Sequence, residues 1–368
     1  MNRIRSIDVV RGVVMVLMAI DHVRVYAGVP AGGHDPAVFF TRWITHFVAP
    51  AFAFLAGTSA YLYGRKLAGV SALSRFLVSR GIWLVFLELT ILRIAWTFNF
   101  DFAHYMLAGV IWMLGWCMVL LAALVWLPTR VIAAFGLFVI FAHNLIGNVL
   151  PENPMTQILY FGGPIGEGPL FILYSIVPWI GVMAAGYAFG AVLMLDPRRR
   201  DRICAIIGTS AIALFVLLRF TNVYGDPRPW KAPNALLFLN TTKYPASLQF
   251  LLMTLGPMLV LMPLAERARG RVAEIFATFG RVPFFYYLLH IPLIHVMAIT
   301  VSLVREGKID PWLFANHPAM PPPPPPGYMW SLPLLYLVFA IVVAMLYLPC
   351  RWYAAVKARH RDSLLRYV

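Results

Sequence analysis

Stretches of about twenty mostly apolar residues recur along the whole chain, and each is long enough to cross the hydrocarbon core of a bilayer. Ten such windows are read: Asp8–Ala27, Arg42–Tyr63, Phe76–Phe98, His104–Leu127, Val131–Leu150, Leu170–Leu195, Ile203–Leu218, Leu248–Leu264, Pro283–Val304 and Met329–Pro349. The seventh is short. Pro178, Pro257 and Pro292 mark the sixth, eighth and ninth as the places for kinks or shifted boundaries. The 368 residues are 61% hydrophobic and 12% charged, a balance that excludes a soluble globular domain. The predicted fold is an all-α integral membrane bundle of about ten transmembrane helices.

Net charge of +15 in so apolar a chain points to loops facing an anionic leaflet and away from nucleic acid. Twenty of the thirty Lys and Arg fall on one set of flanks, from Arg3 and Arg5 to Arg359 and Arg366, and seven on the opposite set. The richer side is cytoplasmic by the positive-inside rule, so both termini are predicted cytoplasmic, in a multi-pass protein of the inner (plasma) membrane. The first window ends on Asp21, His22 and Arg24 with no A-x-A-like site, and reads as a signal anchor. No linker or internal repeat divides the chain, so 1–368 is read as a single domain. Residues 305–328 form an outward loop whose run Pro321 to Pro326 predicts a stiff polyproline II spacer.

Cys117, Cys204 and Cys350 are far apart in apolar surroundings, which supports neither a disulfide framework nor a thiolate metal site. No HExxH, HxH or carboxylate cluster occurs at ligand spacing, and no metal is predicted.

Ionisable residues at membrane depth are costly and mark candidate sites. His22, His34, His46, His104 and His143 share one outward stratum, which His290 and His295 of the ninth window can approach. Arg11 and His22 are eleven residues apart, near three helical turns, which sets both on one face about 16 Å apart along the axis. That arrangement suits a substrate threading between the two sides; alternatively Arg11 snorkels to inner headgroups and His22 caps a helix end. Tyr286 and Tyr287 precede His290 by four and three residues, so one face carries two phenols and an imidazole, or simply packs. Glu88 needs a partner such as Arg93 or a buried polar group; His295 reads as a core histidine. Gly186 and Gly190 form a GxxxG suited to close helix packing. In the outer loop from Arg219 to Ser247, Asp226, Arg228, Trp230, Lys243 and Tyr244 mix charge, hydrogen-bonding groups and rings, as polar or sugar-like ligands require or as an interfacial aromatic belt provides.

Three segments carry a resemblance. Arg5-Ser6-Ile7-Asp8-Val9-Val10-Arg11-Gly12, Phe47-Val48-Ala49-Pro50 through Phe54-Leu55-Ala56-Gly57-Thr58-Ser59, and Phe279-Gly280-Arg281-Val282-Pro283 through His290 resemble bacterial relatives of the heparan-α-glucosaminide N-acetyltransferase catalytic domain. The resemblance implies transfer of an acetyl group from cytoplasmic acetyl-CoA to an acceptor across the membrane, here a glycan or another envelope component. It implies His22 or His34 as rival catalytic histidines, oriented by Asp21 or Asp35, with His290 a further candidate. His22 matches the Arg, ten residues, His pattern of the broader membrane acyltransferases, and His34 is the nearest counterpart of the functional histidine in the lysosomal enzyme. Arg11, Arg80 and Arg281 are candidates for the phosphates of acyl-CoA, and a homodimer is an open option. A transporter or channel using the intramembrane His, Glu and Arg is the runner-up, and a non-catalytic membrane scaffold the third reading.

Overall fold

The computed structural model describes residues 4–33, 35–147, 149–231, 234–319 and 321–360. Its helices are α1 (Arg5–Tyr26), α2 (Pro36–Trp43), α3 (Val48–Gly64), α4 (Val70–Leu87), α5 (Arg93–Thr97), α6 (Val110–Leu124), α7 (Thr129–Gly147) and α8 (Pro154–Thr156). They continue with α9 (Val177–Val192), α10 (Pro197–Thr221), α11 (Ala235–Leu239), α12 (Leu248–Arg267), α13 (Arg271–Arg281), α14 (Pro283–Glu306) and α15 (Leu332–Arg359). Every one of the ten apolar windows contains a helix. Among the described residues six helical segments are long and apolar enough to cross a membrane: Pro36–Gly64, Thr129–Gly147, Pro197–Thr221, Leu248–Arg267, Pro283–Glu306 and Leu332–Arg359.

The windows and the helices differ where local chemistry intervenes. The seventh is longer than expected, because Asp196 accepts the Arg199 amide and Pro197 opens the first turn, which starts α10 among cations. Pro178 likewise sits in the first turn of α9, where its missing N–H costs nothing, so it begins that helix and does not kink it. Pro257 and Pro292 do lie inside α12 and α14. Residues read as the outer starts of the fourth and sixth windows are not helical. They form β1 (Met106–Ala108) and β3 (Leu170–Ile172), which pair in parallel, while β2 (Gly163–Pro164) pairs antiparallel with β3.

The chain divides into two compact units. The first comprises 1–48, 91–100 and 264–368, and the second 49–90 and 101–263. In the first, α1 crosses α13 at two glycines. A Cβ on Gly12 would overlap the Phe276 carbonyl, and one on Gly280 would overlap that of Asp8, so only glycine lets the two backbones approach this closely. Arg5 fastens the same junction by donating to Glu274 and to the Ala268 carbonyl, and the Ser6 amide donates to Glu266 at 2.6 Å. The Arg5 guanidinium beside Glu274 holds that carboxyl below the usual range, with Arg281 adding to the effect.

In the second unit the expected GxxxG is a packing seam. A Cβ on Gly186 would overlap the Phe54 carbonyl, one on Gly57 that of Met183, and Thr58 donates to the Gly186 carbonyl at 2.9 Å. Gly81 and Gly115 bring α4 and α6 together in the same way. Glu88, 1% exposed, accepts the Ile111 and Trp112 amides and so occupies the start of α6. Its partners are backbone amides, the buried polar groups that the sequence offered as the alternative to Arg93. Arg93 instead donates to Thr97 and to both oxygens of Asn99 within the first unit.

Candidate functional site

His22 and His290 meet in the first unit. The Nδ1 of His22 is 2.6 Å from the Nε2 of His290, and the two rings stack with centroids 4.8 Å apart. His22 is half-buried and His290 has no exposure. Trp96 meets His22 in a T-shaped contact with centroids 4.8 Å apart, and Tyr26 stacks on its indole at 5.7 Å while donating its hydroxyl to the Trp96 carbonyl at 2.5 Å. Tyr286 stacks on His290 at 5.4 Å and Tyr287 meets it edge-on at 5.1 Å. The face expected to carry two phenols and an imidazole is therefore turned inward around the histidine pair.

His290 sits one turn beyond Tyr286 and Tyr287 on α14, so its Nδ1 reaches their backbone carbonyls, at 2.7 Å for Tyr287 and 3.2 Å for Tyr286. Asp21, next to His22 in sequence, directs an oxygen to Arg24 at 2.9 Å and to Arg42 at 3.7 Å. Arg24 also donates to the Val29 carbonyl, so this ion cluster ties the C-terminal end of α1 to the turn that follows. Asp35 accepts the Ala37 and Val38 amides as the N-cap of α2. His34 lies outside the described residues.

The C-terminal end of α1 is held by the proline-rich loop. Asn316, the Tyr328 hydroxyl and the Trp330 amide donate to the carbonyls of Val25, Tyr26 and Ala27, satisfying the last turn of the helix. Pro324 lies against Gly28, whose φ of +68° belongs to the left-handed region. The Pro322 carbonyl accepts the Trp312 indole. The run expected as a spacer is thus a strap over the helix that carries His22. Half-buried His317 belongs to this strap; burial pushes its imidazole down to about 4, and Arg93 adds to the shift. His295 is fully buried, stacked on Phe98 at 3.9 Å, as a core histidine should be.

Of the expected phosphate ligands, Arg11 donates to the Gly280 carbonyl at 3.4 Å and Arg281 donates to Glu274 at 3.2 Å, so α1 and α13 bring these two cations to one helix junction. Arg80 belongs to the second unit, 6.0 Å from the centroid of the Phe76 ring.

The second unit carries the residues expected to bind an acceptor. Asp226 accepts from the Thr242 amide and hydroxyl, the Ser247 hydroxyl and the Arg228 amide, so its carboxylate organises the loop between α10 and α12. Trp230 packs on Phe220 and Phe238 and donates its indole N–H to the Asn234 carbonyl. Lys243 is 8% exposed and lies over the rings of Tyr174 and Tyr244. Arg228 is exposed and Tyr244 is 36% exposed, which leaves them the accessible members of the set. Arg219, read only as an outer cation, is the centre of this loop: it is 2% exposed and donates to the carbonyls of Arg228, Leu237, Phe238 and Asn240. An arginine at the end of an apolar helix was the signal for it. Trp96 carried no comparable signal, since nothing local distinguishes it from a membrane-interface tryptophan.

Among the described residues no group of three or more His, Cys, Asp or Glu is placed to hold a metal ion. Repeated helices long and apolar enough to cross a bilayer define a multi-pass membrane protein, and in its first unit two imidazoles meet. Residues 3–220 match the family model described as heparan-alpha-glucosaminide N-acetyltransferase, catalytic, and the chain belongs to that family. The match takes in Arg11, His22 and Trp96 and stops short of the Phe279 to His290 segment. No curated protein matches the chain. Family membership places it among membrane acetyltransferases.

Proposed function

We propose that this protein moves an acetyl group from acetyl-CoA on the cytoplasmic side to a hydroxyl or amine of a glycan or other envelope component on the far side. In this reading ten helices cross the plasma membrane, with both termini in the cytoplasm. The observation that carries it is the His22–His290 contact on the helix that also bears Arg11 at its cytoplasmic end. Arg11 and Arg281, together at the α1–α13 junction, are suited to the phosphates of the donor. The thioester would then lie along α1 toward His22.

The chemistry asks little more of the protein. The acceptor oxygen or nitrogen attacks the thioester carbonyl, the carbon–sulfur bond breaks, and the acceptor proton leaves through His22 to the departing thiolate. Alternatively the imidazole takes the acetyl group first and passes it on. Arg228 and Tyr244 offer an acceptor a cation and a ring on the outer loop. His34 remains the rival base.

The test is purified protein in lipid nanodiscs with acetyl-labelled acetyl-CoA, scored for CoA release and labelled acceptor. His22→Ala is expected to lower turnover by about 10²–10⁴-fold, the range of general acid–base catalysis. Full activity in His22→Ala with loss in His34→Ala would move the role to His34. Substrate flux into vesicles with no CoA release would replace the enzyme by a transporter.

A further inference from the structure

We infer that His290 is a positioning residue that fixes the tautomer of His22, leaving the Nε2 of His22 as the atom that accepts the proton or the acetyl group. This rests on the reading of His22 as the reacting imidazole. The argument is a count of protons along a chain of contacts. The Nδ1 of His290 faces the carbonyls of Tyr287 and Tyr286, at 2.7 and 3.2 Å, and a carbonyl can only accept, so this nitrogen carries hydrogen. In a neutral imidazole the other nitrogen then bears a lone pair. That nitrogen, Nε2 of His290, lies 2.6 Å from Nδ1 of His22, and two ring nitrogens at this distance need one proton between them. For a pair without net charge a single arrangement remains: Nδ1 of His22 donates and Nε2 of His22 holds the lone pair.

The surroundings keep the rings in that orientation. His290 is completely buried, with Tyr286 stacked on its ring. His22 is in contact with His290 and, in a T-shaped arrangement, with Trp96, on whose indole Tyr26 stacks. A backbone carbonyl thus takes the place that a carboxylate holds in many catalytic triads, and a second imidazole relays its effect. Unlike a carboxylate, the relay leaves the pair uncharged, which a buried site at membrane depth favours.

The experiment reads proton position and turnover separately. The whole protein is labelled with ¹⁵N-histidine in nanodiscs, and the His22 ring signals are assigned by their loss in His22→Gln. His22 is expected to show a protonated Nδ1 and an unprotonated Nε2. His290→Phe keeps the ring volume but removes the acceptor. It should redistribute the proton between the two nitrogens of His22 and lower kcat by roughly 10–10²-fold, with KM for acetyl-CoA changed by less than about twofold. His290→Gln restores an acceptor oxygen and should recover part of the kcat. Thermal unfolding of each variant identifies one that has merely lost its fold; for such a variant the wild-type spectrum and His290→Gln decide. A wild-type His22 protonated on Nε2, or a folded His290→Phe with unchanged kcat, overturns the inference. Wild-type protein without acetyl transfer to any acceptor would count against the acetyltransferase reading, and the ¹⁵N spectrum would still decide the proton placement.

Discussion

His317 illustrates how one side chain couples pH to the proline-rich strap. Partial burial, with the charge of Arg93 adding to it, pushes its imidazole down to about 4 in the folded protein against 6.5 for the ordinary group. Above 6.5 it is neutral in both folded and unfolded chains. As pH falls from 6.5 toward 4 the unfolded chain binds a proton that the folded one does not, so stability present at neutral pH is lost across that window. Thermal midpoints in detergent between pH 7 and pH 5 should fall more steeply for wild type than for His317→Asn; parallel curves would remove the role assigned to this residue. At the same scale His22 was visible in the sequence because Arg11 fixes its helical phase, eleven residues before it. Trp96 and the carbonyl of Tyr287 were not, since neither a tryptophan in an apolar span nor a backbone oxygen announces its partner.

Helix-level chemistry turns on glycine. The segments Arg5 to Gly12 and Phe279 to His290 stood out as separate motifs, and the α1–α13 crossing explains why they belong together. Gly12→Ala or Gly280→Ala must push a Cβ into a backbone carbonyl, and a loss of about 1–3 kcal/mol is expected in each case. Gly69→Ala, where a Cβ meets open space, should stay within about 0.5 kcal/mol and serves as the control. Reversible unfolding in mixed detergent micelles measures all three, and equal stability of Gly280→Ala and Gly69→Ala would contradict the close crossing. The crossing also limits what periodicity can reveal. α13 is eleven residues long, too short and too charged to stand out as a span, and the strands β1 and β3 hide inside runs apolar enough to pass for helix.

Over the whole molecule the strongest signal is the asymmetry of charge. Twenty of thirty cations lie on one set of flanks, and a reporter fused at either terminus is expected to face the cytoplasm. Reporters active only outside at one end would change the number of crossings from even to odd. Apolar length, charge asymmetry and the phase of Arg11 against His22 are local quantities, written along the chain by the spacing of residue types, and the sequence alone determined them. The meeting of His22 with His290, 268 residues away, the Trp96 ring that packs on it and the strap over the end of α1 depended on tertiary structure. These are contacts between distant segments, and their geometry is set by which backbones can approach, a property no single stretch of sequence contains.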